Sequence, residues 1–293
     1  TLTHRGCEPT TSEEREQGSG AGFDSVAPAW SDRLMTRLGY QIPNFTYPGV
    51  GPADLFDAVA YQAKEADTSG FDTVVVMDHF YQLPMLGEPD QFMLECYSLL
   101  SALARETKNV RLSALVTGNT YRNPAVLAKT LTTLDIVSEG RAQLGIGAGW
   151  FELEHDAFGI EFGTFTDRFE KLEEALQIII PMLRGERPSL DGARYTVKDA
   201  INEPPPVNRI PVMIGGGGER KTLRMVAQYA DESNIICPPA DLQRKLDALA
   251  EHGFVLDQVC DSGDHHTIHL IGDDGMQVPA NDSNPCVVVC GMS

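Results

Sequence analysis

Phe71-Asp-Thr-Val-Val-Val-Met-Asp-His-Phe80 is an apolar run that stops abruptly at a carboxylate, an imidazole and an aromatic ring. A short apolar run without polar alternation reads as a strand covered on both faces, the habit of parallel sheets. Upstream, Leu55, Phe56, Val59, Ala63 and Ala66 form a helical stripe between Pro52 and Ser69, and Gly70 can end it. Downstream, a second helix is expected over 90–106 with Phe92, Leu99, Leu100 and Leu103, then a strand over Val110–Thr117. Asn123-Pro124 is a strong helix start, with Asn at the N-cap and Pro at the first helical position. That helix carries Leu127, Leu131 and Leu134 and should end before Gly140. Ala142–Gly147 reads as the next strand and 166–184 as the next helix.

With the opening strand Leu38–Ile42 and two later strands near 210 and 233, strands and helices alternate along the chain. Such alternation predicts an α/β fold with a parallel sheet. A hairpin is expected around Asp191-Gly192 and a stiff link at Pro204-Pro-Pro206. A closed (β/α)8 barrel and an open doubly wound sheet both fit this pattern.

The 293 residues carry a formal net charge of −19. That field argues against nucleic acid or an anionic lipid surface as partner, and an anionic ligand would need a local positive pocket. The ends differ from the middle. Residues 1–34 are rich in Gly, Ser, Thr and Glu without sustained period and are expected to be disordered, with Met35 as a plausible natural start. Residues 254–293 hold six acidic residues and no Lys or Arg, a divergent tail after a domain spanning 35–253. Cys7, Cys96, Cys237, Cys260, Cys286 and Cys290 follow no secretory segment, and no apolar run reaches membrane-spanning length. They read as reduced thiols in a cytoplasmic protein.

Chemistry is expected where strands end, because α/β folds bind ligands at the carboxyl edge of the sheet. Asp78 and His79 stand there, and an imidazole, with a reference pKa near 6.5, can give or take a proton near neutrality. Leu144-Gly-Ile-Gly-Ala-Gly-Trp150 ends another strand, but Trp150 occupies the place where the dinucleotide fingerprint needs glycine. Ile214-Gly-Gly-Gly-Gly-Glu-Arg-Lys-Thr222 joins a strand to a helix, and backbone N–H groups at a helix start favour an anion. Arg220, Lys221 and Arg224 would add positive charge, whereas Arg220 in place of glycine argues against an NTP-binding loop. His265, His266, His269, Asp261 and Asp264 match no metal-ligand spacing, so no metal site is expected.

Taken in order, Leu38–Pro43, Val76-Met-Asp-His-Phe80, Leu115–Pro124, Leu144–Trp150 with Glu154-His155, and Ile214–Glu219 resemble the luciferase-like monooxygenase superfamily, most of all its F420-dependent oxidoreductase branch. The resemblance covers about 38–253. It implies a TIM (β/α)8-type barrel, incomplete at the C-terminus because the tail does not align. It implies hydride transfer between coenzyme F420 and a small organic substrate. The alternatives are a two-component FMNH2-dependent monooxygenase using FMN and O2, or a non-catalytic flavin-binding fragment. His79, Asp78 and Trp150 would be the catalytic group. Ala114 and Leu115 would flank a non-proline cis peptide behind the ring. Thr117, Gly118 and Asn119 would line one edge of the ring, and Ala148 and Gly149 the far side with Trp150. Gly216, Gly217, Gly218 and Arg220 would hold the phosphate. A homodimer is also implied.

Overall fold

Residues 37–253, 255–261, 265–271 and 287–291 are described by the computed structural model. The expected N-terminal extension, 1–34, lies outside the described residues, as do the side chains of the tail histidines and of Cys286 and Cys290. The chain runs β1 (Arg37–Ile42), α1 (Leu55–Thr68), β2 (Thr73–Val76), α2 (Cys96–Glu106), β3 (Arg111–Ala114), β4 (Thr117–Gly118) and a 3-10 turn over Asn119–Tyr121. It continues through α3 (Pro124–Val137), β5 (Ala142–Gly147), α4 (Glu152–Phe158), α5 (Phe165–Leu183) and the hairpin β6 (Leu190–Asp191) and β7 (Thr196–Val197). Then come β8 (Val212–Gly215), α6 (Thr222–Tyr229), β9 (Glu232–Ile236), α7 (Pro239–Glu251), β10 (Val255–Asp261), β11 (His265–Ile271) and β12 (Val287–Gly291).

Six strands pair in parallel in the order β1-β2-β3-β5-β8-β9. β12 adds in parallel to the outer side of β1, and β11 then β10 continue antiparallel beyond β9. The sheet curls into a half-barrel with helices packed against it. A ring closed by further parallel βα units is not formed among the described residues. Every residue of β2 and of β5 is buried, which is why those runs lack alternation. The core is aliphatic: Leu100, Leu103, Leu112, Leu127, Leu131, Leu144, Ile146, Leu172 and Leu176 are fully buried. At Gly145 a Cβ would lie 2.1 Å from the Ala114 carbonyl oxygen, so that close approach admits only glycine.

Two expected boundaries shift for local reasons. The second helix starts at Cys96 rather than near 90, because the Glu95 carboxylate caps it by accepting from Ser98 N at 2.7 Å. Phe92, expected on its apolar stripe, lies outside the helix and is exposed. The strand expected to reach Thr117 breaks after Ala114. The cis peptide is Leu115–Val116, one residue beyond the expected Ala114–Leu115 position. Leu115 N still donates to Val76 O at 2.9 Å, so the chain keeps register with β2 through Leu115 and departs only after it. It then pairs with β5 instead, Thr117 opposite Ile146 and Gly118 opposite Gly147.

Candidate active site

The carboxyl ends of β2, β4, β5 and β8 carry the expected residues, and their side chains have different partners. Asp78 is 2% exposed. The Arg122 guanidinium grips its carboxylate as a fork at 2.7 and 2.9 Å, and Gly118 N donates to it at 3.1 Å. Burial pushes the Asp78 carboxyl up, and Arg122 opposes that rise. For Arg122 burial acts downward, but Asp78 and Glu95 more than reverse it and hold the guanidinium charged. Arg122 also pairs with Glu95 and lies over the Tyr97 ring, whose hydroxyl meets Thr117 Oγ1 at 2.6 Å. Asp78 and Thr117 are therefore committed to a network that ties α2 to the strand ends.

His79 is bound differently. Its Nδ1 lies 2.9 Å from Glu154 Oε2, and its ring meets Trp150 and Phe151 edge-on at 5.8 and 5.6 Å between centroids. Glu154, in α4, is fully buried. Its Oε1 accepts from the backbone N–H of Phe80 and, at 2.8 Å, of Tyr81, while its Oε2 also accepts from the Tyr121 hydroxyl. Burial would raise the Glu154 pKa, yet the hydrogen bonds from His79, Tyr121 and Tyr81 outweigh it and leave it below the usual glutamate value. The Tyr121 hydroxyl moves the other way, pushed up by burial and then by Glu154. Neighbouring His155 is also buried, held between Thr120 Oγ1 at 2.7 Å and Phe151 O at 2.8 Å.

Asn119 is 1% exposed, and neither its Oδ1 nor its Nδ2 makes a well-formed hydrogen bond, although the Tyr195 hydroxyl approaches it. Ala114 is buried in β3, and Leu115 packs on Val75. Ala148 is half-buried. Gly149 has φ +82° and leaves room for Thr120, whose Oγ1 would be 2.7 Å from an added Cβ. Arg168 Nε fixes that turn by donating to Gly149 O at 3.1 Å. Trp150 is 57% exposed, so its indole borders the site from the solvent side rather than sealing it.

Three strand spacings along the sheet from β2, roughly 14 Å, and next to β5, lies the glycine turn after β8. Gly216 takes φ +124° and its N–H bonds Asn234 O. Gly217 O accepts from Lys245 Nζ at 2.7 Å, and Gly218 O accepts from Leu223 N. The positive charge there is narrower than expected. Arg224 is taken by Glu173 at 2.8 and 2.9 Å, because α6 packs that residue towards α5. Lys221 sits over the Phe165 and Phe169 rings at 5.3 and 5.5 Å. Arg220 is exposed and has no ion pair among the described residues.

Residues 36–253 match the profile of the luciferase-like monooxygenases. The chain belongs to that family. This luciferase-like chain is 31% identical over 199 residues to the F420-dependent glucose-6-phosphate dehydrogenase of Microbacterium testaceum (strain StLB037), an alignment covering 68% of this chain and 56% of that protein. It spans a little over half the length of the curated relatives it matches. Its fold is that of the F420-dependent tetrahydromethanopterin reductase of Methanopyrus kandleri, with TM-score 0.62, 19% identity and coverage of 75% and 61% of the two chains. It is equally that of the oxygenating constituent of 3,6-diketocamphane monooxygenase from Pseudomonas putida, solved with FMN, with TM-score 0.61, 21% identity and coverage of 75% and 62%.

The residues fit the kind of ring system these luciferase-like folds hold. A buried amide whose NH2 donates and whose carbonyl oxygen accepts, without well-formed protein partners, suits a pyrimidinedione edge whose carbonyl and N–H groups alternate. Sequence reading passed over Glu95 and used Arg122, Tyr121 and Glu154 only as parts of motifs, without a role. The side-chain bonds that bring them to the site join residues 27 to 75 positions apart, so no local pattern announces those roles. Among the described residues no cluster of metal-ligating side chains occurs, and no helix is long and apolar enough to cross a membrane.

Proposed function

We propose that this protein is an F420-dependent oxidoreductase acting on a small organic substrate. The observation that carries the reading is His79 at the strand-end edge. One ring nitrogen is bonded to a buried carboxylate, and the other has no protein partner among the described residues. The curated relatives, named as F420-dependent dehydrogenases, support the choice of coenzyme. Bound F420 supplies hydride chemistry at its C5, and the protein supplies orientation, a proton and exclusion of water. Thr117, Gly118 and Asn119 would line one edge of the ring, Ala114 and Leu115 would lie behind it, and Ala148 and Gly149 would flank its far side. Gly216, Gly217, Gly218 and the exposed Arg220 hold the phosphate. His79 exchanges the proton with substrate, and Trp150 borders the substrate on the open side. Asp78 acts by positioning, since its carboxylate is already spent on Arg122 and Gly118. A cytoplasmic setting goes with this reading and with the free, buried thiol of Cys96. Pairing as a homodimer is part of the proposal.

The second reading, an FMNH2-dependent monooxygenase, draws on the FMN-bound neighbour of like fold and on an Asn119 contact that both ring systems could use. Spectroscopic titration separates the two. F420 binding with anaerobic bleaching of its visible band, when an alcohol such as glucose 6-phosphate is added, supports the first. O2 consumption with reduced FMN supports the second. Binding of neither would point to a non-catalytic fragment.

A further inference from the structure

Outside the residues assigned above, the most heavily bonded buried ionisable side chain beside the site is Glu154. Three of its four hydrogen bonds go to the segment that carries His79, namely the ring of His79 itself and the two backbone N–H groups that follow it, and the fourth comes from the Tyr121 hydroxyl. Backbone N–H groups can only donate, so Oε1 is an acceptor twice over. Oε2 receives the Tyr121 hydroxyl and faces His79 Nδ1 at 2.9 Å. A carboxylate with three fixed donors is an ionised acceptor, and an ionised acceptor requires a proton on the facing nitrogen.

We infer that Glu154 is a positioning residue that locks His79 in its Nδ1–H form, leaving Nε2 as the nitrogen that exchanges a proton. The inference rests on the functional reading above only for the use of that proton. The other groups around the ring do not compete for Nδ1. Trp150 and Phe151 meet it edge-on, His155 is satisfied by Thr120 and Phe151 O, and Asp78, Arg122 and Glu95 bond one another. The sign of the depressed Glu154 pKa agrees with an ionised carboxylate. Replacing it with glutamine makes a sharp contrast. The amide oxygen would stay with the Phe80 and Tyr81 N–H groups, and the amide NH2, which only donates, would face Nδ1. The ring would then be driven to the opposite tautomer with its proton on Nε2.

The test is nitrogen-15 NMR of the ring nitrogens in the full chain, with the His79 signals assigned among seven histidines by their loss in His79→Gln. Wild-type protein above the titration of the ring should show a protonated Nδ1 and a bare Nε2. Glu154→Gln should invert that pattern. Turnover with F420 should fall roughly 10- to 100-fold in kcat, with little change in the coenzyme Kd and with a displaced pH–rate midpoint. Tyr121→Phe, which keeps the carboxylate, should retain the wild-type tautomer. A wild-type ring protonated on Nε2 overturns the inference without need of any variant, and so does a folded Glu154→Gln protein with unchanged tautomer, kcat and pH profile. If F420 does not bind to the wild-type protein, the functional reading fails by itself and the ring-nitrogen pattern still decides this one.

Discussion

At the scale of single residues, the two neighbours at the end of β2 have opposite assignments. His79→Ala should lower turnover by roughly 10²- to 10⁴-fold, the usual contribution of a positioned acid or base, while the coenzyme Kd stays within a few-fold of wild type. Asp78→Asn should instead cost stability. It takes the anionic fork from the Arg122 guanidinium, which keeps only Glu95; breaking a buried pair costs about 3–5 kcal/mol, and the remaining partner brings the loss towards the lower end, to be read from urea unfolding. Glu154 makes a pH prediction. A carboxyl whose folded pKa lies below its unfolded value contributes stability that is present above the unfolded value and lost as pH falls through the folded one. The Glu154 pKa is lowered, so part of the wild-type acid destabilisation should sit below the ordinary glutamate range. Glu154→Gln should have a flatter melting-temperature profile over that interval, and an unchanged slope there would contradict the assignment. At this scale sequence reading singled out Asp78 and His79 because strand ends are where α/β folds bind, and it took Asn119 from the family resemblance. It could not give Arg122 or Glu154 their roles, since a buried charged side chain reads like any surface one until its partner, 44 or 75 residues away, is in place.

At the scale of elements, the runs with the plainest physics were the most legible. β2 and β5 are buried throughout, so they read as uninterrupted apolar stretches, and Asn123-Pro124 opens α3 with Asn123 accepting from Ala125 N at 3.0 Å. The break between β3 and β4 was not legible. It depends on pairing partners: β2 holds Leu115, and β5 takes Thr117. The hairpin β6–β7 was expected at Asp191-Gly192, and its docking explains the glycine. Glu174 of α5 accepts from the N–H groups of Ala193, Arg194 and Tyr195 at 2.8, 2.9 and 2.8 Å, and a Cβ at Gly192 would lie 2.3 Å from its Oε2. This anchoring carries Tyr195 towards Asn119. Glu174→Ala should speed amide exchange at 193–195 by at least tenfold, as expected for losing hydrogen bonds worth about 1 kcal/mol each, with a small effect on global melting. Slower or unaltered exchange would detach the hairpin from α5.

At the scale of the whole molecule, the net charge of −19 surrounds a site whose cations are mostly spent. Arg122 answers Asp78 and Glu95, Arg224 answers Glu173, and Arg244 and Lys245 answer Glu219. Exposed Arg220 remains for an anion at the glycine turn, which makes Arg220→Ala a prediction of its own. Coenzyme Kd should rise several-fold, more at low salt than at high salt, with kcat at saturation unchanged. Alternation alone left barrel and open sheet unresolved, and the family motifs resolved them in favour of the barrel type seen in the parallel half-barrel. The tail was the least legible part. Its strands pair with β9 and β1 through backbone bonds, which leave little trace in side-chain pattern.

The measurement that tests the account most directly is anaerobic titration of the full chain with F420, followed by substrate addition to wild type and to His79→Ala. The account predicts coenzyme binding by both proteins and bleaching of the visible band at least about a hundredfold faster in wild type. Equal bleaching by His79→Ala, or O2-dependent turnover with reduced FMN and none with F420, would contradict it.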